Sequence, residues 1–269
     1  MVSSGCHPKS NAADIDLWAA HSPPPRCGRG ARTTRKNMHV LDNVIWNALT
    51  TRQAGFALGD NGARRFLSAI GPLSGLECAN DRGYASLAAL LGDTRTAAVF
   101  LDEPYKARPE FEWIAGAPLV QMVCENGKSL ASHLDANAEM IELDSRHSPE
   151  MIELTARTKP GPFGTRTHEL GRYVGIRQDG KLVAMAGERL KVPGYTEVSA
   201  VCTHPDYLGR GYAGALMSEV MRCIRERGET PFLHSRGDNA RAIALYERLG
   251  FVTRKMGYFA VLRKTNGTT

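Results

Sequence analysis

Leu208-Gly-Arg-Gly-Tyr-Ala213 is a short turn whose chemistry lies in its backbone. Glycines at 209 and 211 let the chain turn tightly and bring amide N–H groups close to a ligand with no Cβ in the way. Where such a turn opens a helix, the first-turn amides precede the first intrahelical bond and the helix dipole favours negative charge. Those conditions make a cradle for a phosphorylated ligand. The turn lacks Gly-x-x-x-x-Gly-Lys-Ser/Thr, which speaks against a nucleoside triphosphate loop. Gly209, Gly211 and Gly214 give only part of a dinucleotide fingerprint, and no clear Asp or Glu closes a second strand about 20 residues on.

A strand must lead into this turn and a helix must leave it. Residues 197–203 alternate as a strand. Residues 212–227 place Ala213, Leu216, Met217, Val220, Met221 and Ile224 on one helical face, with Gly228 as the stop. Around them the pattern predicts strands at 140–143, 172–177, 181–190, 232–235 and 258–263. Asp179-Gly180 supplies the hairpin turn between the second and third of these. Helices are expected at 148–157, with Pro149 at its first position, and at 239–249, with Gly250 after it. Lys159-Pro-Gly-Pro-Phe163 reads as a loop, since proline breaks helix and ladder alike. Upstream, residues 38–137 read as a smaller α/β lobe, with short helices at 61–68 and 84–91 and short buried strands at 96–101 and 118–124.

Val201-Cys-Thr-His-Pro-Asp-Tyr-Leu-Gly-Arg-Gly-Tyr-Ala-Gly-Ala-Leu216 resembles the acetyl-CoA signature of the GNAT N-acetyltransferase superfamily. Asn239-Ala-Arg-Ala-Ile-Ala-Leu-Tyr-Glu-Arg-Leu-Gly-Phe251 resembles the same family's second hallmark, an Asn-led helix ending in Leu-Gly-Phe. The likeness covers residues 139–264. Within the superfamily, Thr196–Pro205 and Pro231–His234 look most like the branch related to glycine N-acyltransferase. One position departs: the signature usually begins with Gln or Arg, and Leu208 stands there. The resemblance implies an α/β GNAT fold over 138–269, a mixed and mostly antiparallel sheet flanked by helices. The 38–137 lobe precedes it.

The resemblance also implies acetyl-CoA as acyl donor. The amides of Gly209, Arg210, Gly211, Tyr212, Ala213 and Gly214 would hold its pyrophosphate, and the backbone of Val201, Cys202 and Thr203 would run beside the pantetheine arm. Asn239 would bond the coenzyme; helix capping is the alternative. Glu197 stands 11 residues before Leu208, the spacing of the catalytic glutamate in GNAT histone acetyltransferases, and is the expected general base. Strand alternation would put it on one face with Ser199, Val201 and Thr203, and burial would raise its pKa toward neutrality. Its alternative is a strand-edge carboxylate paired with an Arg or Lys. Glu188 and His234 are the lesser candidates. Tyr246, seven residues after Asn239, is the expected general acid toward the leaving thiolate; a core tyrosine packed on Leu245 and Leu249 is the alternative.

The expected reaction moves an acetyl group to the primary amine of a small molecule or amino acid. A protein or peptide N-acetyltransferase and a non-catalytic acyl-CoA-binding sensor remain the alternatives. The resemblance implies that loop 158–168, with Lys159, Phe163, Arg166 and His168, borders the acceptor cleft, with Arg166 selecting a carboxylate; a solvated loop is the alternative.

Net charge is +6, of which residues 1–37 hold +4, so the body is nearly balanced. That tail has no hydrophobic periodicity, contains His-Ser-Pro-Pro-Pro, and reads as a disordered basic extension rather than a nucleic-acid or membrane contact. No run of about 18 apolar residues is present. Six cysteines, scattered without metal spacing, favour a reducing cytoplasm, and Cys202 reads as a small buried hydrophobe rather than a nucleophile. No metal ligand set is visible. A homodimer is an open option for the assembly.

Overall fold

The computed structural model describes residues 38–126 and 137–265. The expectations for residues 1–37 lie outside it. A small sheet holds β1 (Ala57–Gly59), β2 (Ala63–Phe66) and β3 (Ser74–Leu76), all antiparallel. A large sheet runs β4-β11-β5-β10-β9-β8-β7-β6, built from β4 (Thr96–Leu101), β5 (Phe111–Val123), β6 (Ala138–Leu143), β7 (Tyr173–Gln178), β8 (Lys181–Val192), β9 (Tyr195–Thr203), β10 (Thr230–Arg236) and β11 (Val252–Lys264). Its pairs are antiparallel except β9 with β10. The mixed, mostly antiparallel sheet matches the expected architecture.

Helices cover both faces. Leu216, Met217, Val220, Met221 and Ile224 of α4 (Tyr212–Glu226) bury the predicted stripe against Val174, Ile176, Val198 and Leu233 of the sheet. On the opposite face, α3 (Ser148–Thr158) packs Met151 and Leu154 on Tyr173, Met185, Ala200 and Cys202. Further along that face, α1 (Val44–Thr50) packs Val44, Ile45, Ala48 and Leu49 against Leu190, Val192 and Phe232. Local chemistry sets the boundaries. Pro149 opens α3, Asn239 caps α5 (Ala240–Arg248) by accepting from the Ala242 N–H at 3.2 Å, and Asp179 and Gly180 take the positive φ of 50° and 78° that a tight hairpin turn demands.

Two expectations are corrected here. Residues 61–68 are not a helix: Ala63 and Phe66 bury inward from a short strand, because the run is too short for helical periodicity to outweigh pairing with β1 and β3. Nor does a boundary at 137/138 divide two folded bodies. β5, from the upstream segment, pairs with β10 over Leu119–Val123 and with β11 along its whole length. Both segments build one sheet, and α2 (Asp81–Leu91) covers its outer end with Tyr84, Leu87 and Leu91.

Gly187 stands opposite Tyr173 in the β7–β8 pair, and a Cβ there would lie 2.2 Å from the Tyr173 ring. Gly187→Ala is therefore expected to cost about 1–3 kcal/mol through forced displacement of that ring. A urea midpoint equal to that of the parent protein would show that the ring moves without cost.

Candidate active site

β9 and β10 pair over three positions, Thr230–Tyr195, Pro231–Thr196 and Phe232–Glu197, and the pairing ends there. Beyond it β10 continues along β5, from Phe232–Val123 to Arg236–Leu119. β9 turns away through a bulge: Ala200 takes a positive φ of 54°, and the β8–β9 register slips between Gly187–Ser199 and Met185–Cys202. Two parallel strands thus part, leaving a slot between 199–203 and 233–236 whose facing backbone groups do not bond each other. A strand-like polar chain laid in such a slot would satisfy them.

The glycine turn follows directly on β9. Gly209 and Gly211 hold φ of 84° and 78°, and nothing lies within 4 Å of where either Cβ would stand. The first intrahelical bond, Ala215 N–H to the Gly211 carbonyl, leaves the Ala213 and Gly214 amides ahead of the ladder. The cradle read from the sequence is present, and it fits a phosphorylated ligand in both conformation and open space. Tyr212 serves it through the backbone only, because its side chain is buried and donates to Gln178 Oε1 at 2.9 Å. The Arg210 guanidinium lies 5.0 Å from the Tyr207 ring centroid, and Leu208 is half exposed beside it.

Glu197 differs from expectation. It is fully buried and takes a two-pronged bond from Arg189 Nε and Nη2, both at 2.8 Å, with a third from the Leu190 N–H at 3.2 Å. His234 Nδ1 donates to its Oε1 at 2.7 Å. Burial alone would raise this carboxyl, but Arg189 and His234 outweigh it and hold the pKa at about 2. A carboxylate this engaged does not take a proton from an amine near neutral pH, so the expected direct base is withdrawn and the paired-carboxylate alternative stands. The shared face fails as well. After the Ala200 bulge, Ala200 and Cys202 pack toward α3 while Val201 packs toward α4, so Glu197 and Val201 face opposite ways.

The network runs further. Gln121 Nε2 lies 3.1 Å from His234 Nε2 and donates to the Leu41 carbonyl at 2.9 Å, while Gln121 Oε1 accepts from Arg254. That orientation makes Gln121 the donor to His234 and assigns the imidazole its Nδ1–H tautomer. His234 is therefore occupied on both nitrogens. Glu188 is buried too, paired with Lys191 at 2.8 Å and Arg227 at 2.7 Å; burial opposes ionisation, but these cations hold its pKa below the usual range. Neither residue is a ready base.

Tyr246 packs on the α4 side of the core, edge-on to Phe251 with centroids 6.2 Å apart. Desolvation raises its pKa to about 12, so the phenol stays protonated at any working pH. Asn239 uses its side-chain oxygen as the α5 cap, leaving its NH2 to donate. Cys202 is buried and its thiol raised to about 11 by burial, which suits a core residue and not a nucleophile.

On the α3 face a crevice runs between loop and sheet, lined by Gly161, Phe163, Tyr173, Arg189, Ser199 and Ala200. The 158–168 loop does border it. Arg166 pairs with Glu169 at 2.6 Å and 2.7 Å. Sequence reasoning missed Arg189, Gln53, Gln121 and Tyr173. Arg189, Gln121 and Tyr173 show in the sequence only as polar side chains inside apolar strand patterns, and Gln53, in the turn after α1, carries no sign at all. Among the described residues no group of His, Cys, Asp and Glu is placed to hold a metal.

A family model described as FR47-like protein matches residues 173–260. N-alpha-acetyltransferase RimI of Mycobacterium tuberculosis is 40% identical over 116 residues, 40% of this chain and 72% of that protein. The [Ribosomal protein bS18]-alanine N-acetyltransferase of Escherichia coli is 30% identical over 115 residues, 40% of this chain and 77% of its own. A Novosphingobium aromaticivorans structure described as an acetyltransferase from the GNAT family has a TM-score of 0.76 and 38% identity, covering 85% of this chain and all of that one. A GCN5-related N-acetyltransferase from Kribbella flavida, 16% identical with a TM-score of 0.52, shares the fold. Fold and relatives together define an acyltransferase. The chain belongs to the GNAT acetyltransferase superfamily, whose members take acetyl-CoA as donor.

Replacing Glu197 by Gln leaves Arg189 buried without its counter-charge, and the expected loss is about 3–5 kcal/mol of folding stability. The carboxyl sits near 4.5 when unfolded and at about 2 when folded, so its contribution is complete above 4.5 and fades as pH falls toward 2. The stability gap between parent and Glu197→Gln should therefore narrow across that window. A gap independent of pH would show that the ion pair is not its source.

Proposed function

We propose that this chain transfers the acetyl group of acetyl-CoA to the primary amine of a small molecule or amino acid. The observation that carries the reading is the opening of β9 from β10 directly ahead of the Gly209–Gly211 turn. In this reading the 209–214 turn receives the pyrophosphate, Val201, Cys202 and Thr203 offer backbone groups to the pantetheine arm, and Asn239 donates its NH2 to the coenzyme. A backbone N–H of the slot polarises the thioester oxygen. The amine nitrogen attacks the acetyl carbon, the C–S bond breaks as Tyr246 donates a hydrogen bond to the departing sulfur, and the proton shed by the nitrogen passes through water to the thiolate, giving the acetamide and coenzyme A.

With Glu197 locked in its ion pair, an acceptor with an appreciable neutral fraction of its own fits best. The terminal α-amino group of a peptide, pKa about 8, is uncharged roughly one time in ten at pH 7, whereas a lysine side chain is so less than once in about 10³. The likeness of Thr196–Pro205 and Pro231–His234 to glycine N-acyltransferase-like members supports an amino-acid acceptor. A second reading, an N-terminal α-amine of a protein, is favoured by the similarity to the bS18-alanine N-acetyltransferase. Both acceptors share the α-amine. Cys124, Cys202 and Cys223 are free thiols, in keeping with the reducing setting expected from the sequence.

A thiol-release screen with acetyl-CoA against amines, amino acids and alanine-led peptides tests the assignment; no release with any acceptor would refute it. Tyr246→Phe should lower kcat about 10- to 100-fold with little change in acetyl-CoA affinity. Parallel loss of acetyl-CoA binding would make Tyr246 a packing residue. Because its phenol titrates only at about 12, the rate should show no fall from this group up to about pH 10.

A further inference from the structure

His234 is held more tightly than packing requires. Its side chain is 4% exposed, with the Phe100 ring centroid 4.6 Å away and the Phe232 ring edge-on at 5.8 Å. An apolar side chain would satisfy those two rings. The imidazole is instead bonded at both nitrogens, to Glu197 Oε1 at 2.7 Å and to Gln121 Nε2 at 3.1 Å. Bonds at both nitrogens, with aromatic rings packed against the imidazole, fix its rotamer.

The backbone of the same residue shows what that fixation serves. Thr230 N–H donates to the Gly194 carbonyl at 2.9 Å, while Cys124 N–H donates to the Pro231 carbonyl and Gly237 N–H to the Pro118 carbonyl, both at 2.9 Å. Even-numbered residues of β10 therefore turn their backbone groups toward β9, and odd-numbered ones toward β5. The parallel ladder begun by Thr230 and Gly194 would have His234 N–H and the Val198 carbonyl as its third rung. Pairing stops at Phe232–Glu197, so that rung is not made. His234 N–H is thus the first donor of β10 to face the slot without a strand partner, and such a group calls for one.

We propose that His234 is a positioning residue for the coenzyme: its clamped imidazole holds its own backbone N–H at the apex of the slot, where that N–H donates to an amide carbonyl of the pantetheine arm. A secondary amide suits the place, because in a strand-like arm its oxygen can stand where the Val198 carbonyl would have completed the ladder. His234 takes part in no bond-making step. The role rests on the acetyl-CoA reading above.

The test follows backbone amide exchange by NMR in the full chain, alone and with each of two ligands. One is coenzyme A; the other is adenosine 3′-phosphate 5′-diphosphate, which keeps a pyrophosphate and lacks the pantetheine arm. Coenzyme A should slow exchange at the His234 amide about 10-fold or more, and the truncated nucleotide should leave it unchanged. Equal slowing by both ligands, or none by bound coenzyme A, overturns the assignment while the donor reading survives. Calorimetry then tests the clamp. His234→Asn keeps an N–H donor toward Glu197 near the place of Nδ1 and should bind coenzyme A within about 3-fold of the parent, whereas His234→Leu should bind it about 10-fold more weakly. Parent-like affinity in the Leu variant, or the same loss in both, overturns the clamp. If the Leu variant fails to fold, the exchange measurement on the parent protein and the affinity of the Asn variant decide. Failure of coenzyme A to bind the parent protein would instead refute the donor reading and this role with it.

Discussion

Glu197 enters the core as an anion, and the strands around it are arranged to keep it one. A lone carboxylate at full burial would be expensive; here Arg189, His234 and the Leu190 amide all donate to it. Bringing Arg189 opposite Glu197 requires the extra residue that β8 inserts between Glu188 and Lys191. Bringing His234 within 2.7 Å requires that β9 and β10 run together as far as Phe232 and Glu197. The ion network thus ties β8, β9 and β10 at the last point before β9 and β10 separate. The opening beyond it is a defined slot because its apex is fastened.

The upstream segment completes that fastening. Gln53 donates to the Arg189 carbonyl at 2.7 Å and accepts from the Lys191 N–H at 3.1 Å, holding the β8 bulge from outside the sheet. Gln121 on β5 closes the His234 end, and Arg254 links it to Asp42. β5 also supplies the edge that β10 follows after leaving β9. Without that pairing, β10 past Phe232 would have unpaired backbone on both sides. Residues 38–123 therefore belong to the support of this opening as much as to the sheet.

The legible parts of the sequence were those whose cause is local. The glycine turn, the Asn239 cap, the Asp179-Gly180 hairpin and the α4 stripe each follow from a few adjacent residues and appear where expected. What stayed hidden depends on distant partners. Gln53, Gln121, Arg189, Glu197 and His234 span much of the chain, and nothing in the neighbours of any one announces the other four. The Ala200 bulge has no glycine to mark it, although it decides which residues of β9 face α3 and which face α4. β5 was read short because residues 112–116 are exposed and carry no burial alternation, while their pairing with β11 extends the strand regardless. Spacing found Glu197 but not its role, since a carboxylate's chemistry is set by the donors around it.

The same consideration bears on the role proposed for Tyr246 toward the coenzyme A sulfur. Its phenol is held at about 12 by desolvation, whereas a thiol in water titrates near 8.5. Complete proton transfer from the one to the thiolate of the other would run uphill by roughly 3.5 pKa units, about 5 kcal/mol. A hydrogen bond from the intact O–H has no such penalty, and it strengthens as charge gathers on sulfur in a site with little water. Burial of the sulfur in the slot narrows the gap from the other side, because desolvation raises a thiol just as it raises a phenol. In the proposed reaction, the effective acid strength of Tyr246 would therefore depend on how dry the surroundings of phenol and sulfur become.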